Sequence, residues 1–214
     1  MKALVDNDIC LKGLSYGLLD HFLATVPEIH DRVGVLGVAR FVLTNRLQRQ
    51  GAPDMRADLI HALYVFLGSA ELVEPTEEEE SLAAEFESLA QISGLSLDVG
   101  ESQLCAVLLL RGLPLLLTGD KRAITALEGL LNSHPLLGGI GGKVKCLEQL
   151  VLDAIAVYGS DLIGQHICAN STIDRTLSIC FGCASGSAVE ENILEGLNSY
   201  IRDLRSQALR VLYS

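Results

Sequence analysis

Positive charge is scarce in this chain of 214 residues. Residues 57–110 contain no Lys or Arg, and the whole chain carries 16 basic against 27 acidic side chains, a formal net charge of −11. A negative net charge argues against a protein that binds nucleic acid through bulk positive charge. It also argues against binding to an anionic membrane surface.

Long apolar runs are missing as well. The most apolar stretch, residues 104–117, is interrupted by Arg111, Gly112 and Pro114, so it is too short and too broken to cross a bilayer. The first residues lack the apolar run and the cleavage site of a signal peptide. We therefore expect a cytoplasmic protein with no membrane partner, whose six cysteines are reduced thiols.

Two familiar catalytic signatures do not occur: Walker A and GxGxxG. There is no internal repeat either. What is present is a chain with 49% hydrophobic residues and a mean hydropathy of +0.35, which excludes a disordered polypeptide. The length suits one domain of ordinary size together with an appendage.

The negative charge is concentrated in one segment. Ten of the acidic residues lie between Glu71 and Glu101, whereas the rest of the chain holds 17 acidic against 16 basic residues. Part of this segment is predicted to be a helix capped by Thr76, with glutamates in its first turn, where they complement the helix dipole. Because the excess is local, it does not exclude RNA binding elsewhere on the molecule.

Apolar runs and helical periodicities alternate along the first two thirds of the chain. Short strands are predicted at residues 2–6, 32–36, 71–75, 113–118 and 143–146, with helices at 9–25, 39–49, 54–67, 77–93, 101–110 and 121–131. This alternation is typical of an α/β fold with a parallel sheet, here a three-layer α/β/α arrangement of four to five strands. Residues 147–214 read as helices at 147–158, 160–168, 172–182 and 188–212, which predicts a C-terminal helical appendage packed on a domain of residues 1–146.

Carboxylates follow the predicted strands. Asp6 ends the first strand, with Asp8 two residues on, and Asp120 follows the fourth, which is preceded by the helix that Glu101 opens. Since ligands gather at the carboxyl ends of parallel strands, these acids are expected to converge. Clustered carboxylates repel one another unless a cation such as Mg²⁺ or Mn²⁺ neutralises them.

The same acids have a purely structural interpretation. Asp8 and Asp120 suit helix N-caps, and Asp98 with Glu101 three residues later fits a capping box. The residues alone leave both interpretations open.

Three motifs together resemble a known family. They are Leu4-Val-Asp-Asn-Asp-Ile-Cys10, Leu97-Asp-Val-Gly-Glu-Ser-Gln-Leu-Cys-Ala106 and Leu115-Leu-Leu-Thr-Gly-Asp-Lys-Arg-Ala123. In this order and spacing they resemble the PIN domain, and the resemblance covers residues 1–146. Many PIN domains are metal-dependent ribonucleases, including the toxins of bacterial toxin–antitoxin pairs.

The resemblance implies a role for individual residues. Asp6, Glu101 and Asp120 would be catalytic and would bind Mg²⁺ or Mn²⁺, in one-metal or two-metal hydrolysis. Asp8 and Asp98 would be auxiliary, and Thr118 would orient Asp120 or a metal-bound water.

This chain departs from the family at its second acid. The family usually carries a Glu on the helix after the second strand, but here Arg40 stands near that place. A weaker metal site, a substitute acid such as Glu28 or Asp31, or an inactive descendant would each account for this.

Several basic residues are candidates for contacts with RNA phosphates. Lys121 and Arg122 stand at a predicted helix N-terminus, a position that favours anions. A basic track would be formed by Arg40, Arg46, Arg49 and Arg56. The alternative for all of these residues is an ordinary solvated surface.

The C-terminal region offers a candidate zinc site. Four ligands would be His166, Cys168, Cys180 and Cys183, and CxxC is a typical half-site. Cysteines in apolar runs are also often simply small buried residues. The apolar stripe of residues 189–212 indicates packing on the rest of the chain, with partner binding or dimerisation as the alternative.

Together these observations predict a Mg²⁺- or Mn²⁺-dependent endoribonuclease, toxin-like or acting in stress or defence, with RNA as substrate and an antitoxin or a second copy of the chain as partner. One rival is a catalytically weak PIN-like binding or regulatory module that acts through its helical C-terminal region. Another is a zinc-stabilised interaction protein.

Overall fold

A computed structural model describes residues 2–29, 32–49, 53–186 and 188–214. Asp31, one of the two suggested substitute acids, lies outside the described residues.

The centre of the molecule is a sheet of five parallel strands in the order β3-β2-β1-β4-β5. The strands are β1 Ala3–Val5, β2 Gly34–Leu36, β3 Glu71–Val73, β4 Leu115–Thr118 and β5 Val144–Cys146. All five were predicted, and the sheet has helices on both faces, so the predicted three-layer α/β/α arrangement is confirmed.

Eleven α-helices are formed by the described residues. They are α1 Asn7–Tyr16, α2 Leu19–Ala24, α3 Ala39–Leu47, α4 Pro53–Ser69, α5 Glu77–Ile92, α6 Val99–Leu110, α7 Lys121–Leu130, α8 Leu147–Tyr158, α9 Ser160–Ala169, α10 Arg175–Cys180 and α11 Glu190–Gln207. A 3-10 helix, Pro135–Ile140, was not predicted.

The central strands are apolar on both faces because both faces are covered. In β4, Leu115 and Leu117 belong to one buried cluster and Leu116 belongs to the other. Successive side chains of a strand point to opposite faces, so a run of leucines supplies both cores at once. The first cluster includes residues of α1 to α4, and the second includes residues of α5 to α7.

The predicted helix at residues 9–25 is wrong in two respects. It is two helices, α1 and α2, because Gly17 adopts a left-handed conformation (φ +67°) that ends α1. The N-cap of α1 is Asp6, which accepts a hydrogen bond from the backbone N–H of Asn7, whereas the predicted cap Asp8 lies inside the first turn. Because of this break, α2 is a separate short helix that packs against the core.

The C-terminal helices share their core with the sheet. Leu147, Leu150 and Val151 of α8 lie in the same buried cluster as Val5 and Leu117. The chain end returns to the sheet edge, where the N–H of Tyr213 donates to the carbonyl of Val144 at 2.7 Å. The C-terminal region therefore packs directly on the first 146 residues.

Two of the six cysteines are joined. Cys168 and Cys183 form a disulfide, so the expectation that all six cysteines are reduced thiols is wrong for this pair. These two residues therefore no longer argue for a cytoplasmic location. The predicted zinc site is not formed, because a disulfide leaves neither sulfur as a thiolate ligand. The histidine among the candidate ligands, His166, instead contacts the carbonyl of Tyr16 through Nδ1 at 2.8 Å.

Within the described ranges, the helices are all too short or too polar to cross a membrane.

Candidate active site

A cleft lies at the point where the strand order reverses. The chain moves outward from β1 through β2 to β3 on one side and from β4 to β5 on the other, so the reversal falls between β1 and β4. In open parallel sheets, ligands bind outside the carboxyl ends of the strands at this point. Here it holds a cleft of about 810 Å³, whose charged lining residues are Asp6, Asp8, Lys12, Arg46, Asp98, Glu101, Asp120, Lys121, Arg122 and Asp174.

Asp6 lies at the floor of this cleft and is only 9% exposed. Its Oδ1 accepts from the N–H of Asn7 at 2.6 Å, and its Oδ2 accepts from the hydroxyl of Thr118 at 3.1 Å. Burial, followed by the nearby charge of Asp8, raises the pKa of Asp6 to about 6 in spite of these hydrogen bonds. The negative charge on this side chain is therefore unfavourable in the folded protein.

Glu101 is the second carboxylate of the cleft whose negative charge is disfavoured. It forms the predicted capping box with Asp98, in which each side chain accepts from the other's backbone N–H at 3.0 Å. Burial raises the pKa of Glu101 to about 8, and the charges of Asp98, Asp120 and Asp6 act in the same direction. Neither Asp6 nor Glu101 forms an ion pair with any residue that the structure describes.

Asp120 is held in a different way. As the N-cap of α7 it accepts from the N–H groups of Arg122 and Ala123 at 2.8 and 3.3 Å, and the Arg122 guanidinium lies 2.9 Å from its Oδ2. Burial alone would raise the pKa of Asp120, but the hydrogen bonds from Arg122 and Ala123 hold it below its usual value. The Arg122 side chain is 78% exposed, so it is free to leave this carboxylate for a ligand.

Asp8 packs against the turn that carries Asp120. A Cβ added to Gly119 would lie 2.1 Å from Asp8 Oδ2, so any larger residue there requires the Asp8 carboxylate to move. The Asp8 carboxylate therefore lies against the turn that follows β4, and its charge also acts on Asp6.

Gly119→Ala is expected to lower the free energy of unfolding by roughly 1–3 kcal/mol, because the added methyl displaces Asp8 from its position. Urea unfolding of the purified variant measures this. Gly138→Ala is the matched control, since a Cβ there meets nothing within 4 Å. Equal stability of Gly119→Ala and wild type would contradict the close packing of Asp8 on the turn.

Lys121 is not the solvated residue that a helix first turn usually presents. Its Nζ lies 2.5 Å from Oε1 of Glu148, which is only 2% exposed, and 5.0 Å from the ring centre of Tyr200. Both partners belong to the C-terminal helices. Of the two predicted phosphate contacts, Arg122 is therefore the more readily available.

The other predicted basic residues separate in space. Arg46 lines the cleft, whereas the Arg40 guanidinium stacks on the ring of Tyr64 at 5.4 Å and does not line it. Glu28, the suggested substitute acid, accepts from the hydroxyl of Tyr213 at 2.8 Å and is also outside the cleft lining.

Two charged residues of the cleft were missed by the sequence analysis. Lys12 Nζ lies 2.8 Å from Asp8 Oδ2 and 2.8 Å from Asp174 Oδ2. Burial lowers the pKa of Lys12, but the two carboxylates outweigh it and raise the value above its ordinary one. The spacing of Asp8 and Lys12 at i, i+4 is a detectable signal, whereas nothing local indicates that Asp174, the N-cap of α10, reaches the cleft.

The donor chemistry of the cleft suits a hard divalent cation. Carboxylate oxygens are the ligands that Mg²⁺ and Mn²⁺ prefer, and Asp6 and Glu101 lack a compensating charge. As the side chains stand, the described residues contain no group of three or more His, Cys, Asp or Glu that could hold a metal ion. Since Arg122 engages Asp120, the three predicted ligands would come together only after that ion pair opens.

Comparisons with family models, with curated protein sequences and with solved structures found no match to this chain. The resemblance to PIN domains is thus carried by the three sequence motifs alone, and the residue roles taken from it stay predictions.

Proposed function

We propose that this cleft binds Mg²⁺ or Mn²⁺ and that the protein is an endoribonuclease that hydrolyses RNA phosphodiester bonds. The observation that carries the proposal is the meeting of Asp6, Glu101 and Asp120 in one cleft at the switch point of the sheet, where the first two carboxylates are uncompensated. A structural role as helix caps explains their positions on the helices, but it does not explain why two carboxylates with raised pKa values line the same cleft.

Each residue has a defined task in this proposal. Asp6, Glu101 and Asp120 hold the divalent ion, which when bound lowers the pKa of a coordinated water and polarises the phosphoryl oxygen. Thr118 fixes the orientation of Asp6 through its hydroxyl and also accepts from the N–H of Asp120 at 3.2 Å. Arg122, released from Asp120, binds the substrate phosphate at the N-terminus of α7.

RNA is the proposed substrate because cations reach the cleft from two sides. Arg46 of α3 and Arg122 of α7 line the cleft from different helices, and both provide local contacts to phosphate without bulk positive charge.

An exposed apolar surface beside the cleft suits a protein partner, which we propose is an antitoxin or a second copy of the chain. Its members are Val38, Phe41, Tyr64 and Val65, which are 43–70% exposed.

A cleavage assay tests the proposal. Purified wild-type protein is expected to cleave RNA only when Mg²⁺ or Mn²⁺ is present, and Asp120→Asn is expected to lose that activity while keeping its fold, since Asn is also a good N-cap. Asp20→Asn, an exposed acid in the first turn of α2, is the matched control and should be fully active. Undiminished metal-dependent cleavage by Asp120→Asn would sink the proposal.

The ion pair between Arg122 and Asp120 favours a second candidate, a catalytically weak binding or regulatory module. In that case Arg122 remains on Asp120 and no divalent ion is bound. Removing the guanidinium separates the two functions: Arg122→Ala should bind Mn²⁺ more tightly than wild type if the cleft is a metal site, and neither protein should bind it if the module has only a regulatory role.

A further inference from the structure

Lys12 lies between two carboxylates, those of Asp8 and Asp174, at one end of the cleft. Its Nζ is 2.8 Å from an oxygen of Asp8 and 2.8 Å from an oxygen of Asp174. The side chains of Lys12 and Asp174 are 16% and 14% exposed, so the pair is largely withdrawn from water. The three residues come from α1 and from the N-cap of α10, which lie far apart in the chain.

This arrangement resembles a cation site in which the cation is supplied by the chain. Two carboxylates that face one position and are mostly buried repel each other, so a positive charge between them is required for both to stay ionised. An ammonium tethered to α1 provides that charge without any dissociation equilibrium. The remaining carboxylates, Asp6 and Glu101, have no such internal cation among the described residues.

The two ends of the cleft are close enough to influence one another. The charge of Asp8 is the second largest cause of the raised pKa of Asp6, and Asp8 packs against Gly119, the residue before Asp120. With Lys12 in place, the end formed by Asp8 and Asp174 already holds a cation and keeps a net charge of about −1, whereas the end formed by Asp6 and Glu101 has no ion-paired cation among the described residues.

We propose that Lys12 is a built-in cation that takes the place of a second divalent ion, so that the cleft binds one divalent ion per chain. The inference rests on the proposed function, and it selects the one-metal form of hydrolysis over the two-metal form. Asp174 becomes a positioning residue, because it fixes Lys12 from the C-terminal region and thereby makes that region part of the site.

The test is a titration of the full-length protein with Mn²⁺, in which the electron paramagnetic resonance signal of free Mn²⁺ counts the ions bound. Wild type is expected to bind one equivalent in the cleft and Lys12→Met two, because the substitution frees Asp8 and Asp174. Lys12→Met combined with Asp174→Asn should return to one. Lys145→Met is the matched control, since it removes a buried lysine from its ion pair with Asp153, neither of which lines the cleft, and should bind one. Weak sites on the acidic surface are common to all four proteins and cancel in the comparison.

The outcomes separate the inference from the proposed function. A wild-type chain that binds no Mn²⁺ would overturn the proposed function and the count of one ion per chain. An extra equivalent in Lys12→Met would even then support the statement that Lys12 takes the place of a divalent ion. Equal binding by Lys12→Met and wild type overturns the inference and leaves the proposed function standing if that number is one. If Lys12→Met does not fold, Lys12→Gln takes its place, and a wild-type chain that binds two equivalents in the cleft overturns the inference without any variant.

Discussion

Asp6→Asn is expected to make the metal-free protein more stable at neutral pH while it reduces metal-dependent cleavage by about 100-fold or more. Loss of even an outer-sphere partner of a metal site costs roughly 10- to 100-fold, and Asp6 is proposed to touch the ion directly. The gain in stability follows because the charge removed is unfavourable: the pKa of Asp6 stands at about 6 against an ordinary 3.8. That difference corresponds to roughly 3 kcal/mol, an upper bound on the gain.

The opposite signs of the two effects make this substitution informative. Asn keeps an oxygen to accept from the N–H of Asn7 and an amide to donate to the hydroxyl of Thr118, so the fold around it is preserved. Urea unfolding and the RNA cleavage assay measure the two quantities, with Asp20→Asn as the control for both. Lower stability of Asp6→Asn would contradict the inference that the negative charge of Asp6 is unfavourable in the folded protein.

The stability of the metal-free protein is expected to fall as the pH rises from about 4 to about 8. Asp6 and Glu101 have raised pKa values of about 6 and about 8, so the folded state binds their protons more tightly than the unfolded state does. Folding is therefore favoured where these groups are protonated, and the advantage is lost as they ionise. Asp6 alone contributes roughly 3 kcal/mol to this change, and Glu101 adds to it in the same direction.

Other carboxylates do not mask this trend. The pKa of Asp120 and that of Asp174 lie below their ordinary value, so their stabilising effect is lost only as the pH falls below about 4. Unfolding free energies at a series of pH values measure the trend, and saturating Mg²⁺ should flatten it by compensating the ionised pair. The double variant Asp6→Asn, Glu101→Gln should lose the dependence. A wild-type protein whose stability rises steadily from pH 5 to pH 8 would contradict the electrostatic description of the cleft.

The sheet and the acids at its edge could be predicted from the sequence because their signals are local. The leucines of β4 form a continuous apolar run that ends in Thr118, Gly119 and Asp120, and such a run is typical of a strand covered on both faces. The capping box of Asp98 and Glu101 follows from their spacing and is present in the structure. Because these acids lie where predicted strands end and predicted helices begin, they could be assigned to one edge of the sheet.

The remainder of the cleft depends on tertiary packing. Helical periodicity continues across Gly17, so the break between α1 and α2 is visible only as a left-handed glycine in the structure. Asp174 reaches Lys12 because it follows α9, which packs against α1. The pairing of Cys168 with Cys183 likewise follows from the return of the chain after α10. Neither proximity has a signature in residue type or spacing.

The structural interpretation of the acids is correct for Asp98, Glu101 and Asp120 and wrong for Asp8. Asp6, Asp98 and Asp120 are all helix N-caps, as their residue type favours. Capping fixes each carboxylate at the start of a helix, and the sheet topology then brings those starts to one cleft. Since one residue can perform both tasks, evidence for a cap does not argue against a ligand.

The most direct test of the account is an anomalous difference map from a crystal of the protein soaked in Mn²⁺. We expect a peak within coordination distance of the Asp6 carboxylate, shared with Glu101 and Asp120, and Arg122 displaced from Asp120. A map with no peak in the cleft in a large excess of Mn²⁺ would contradict it.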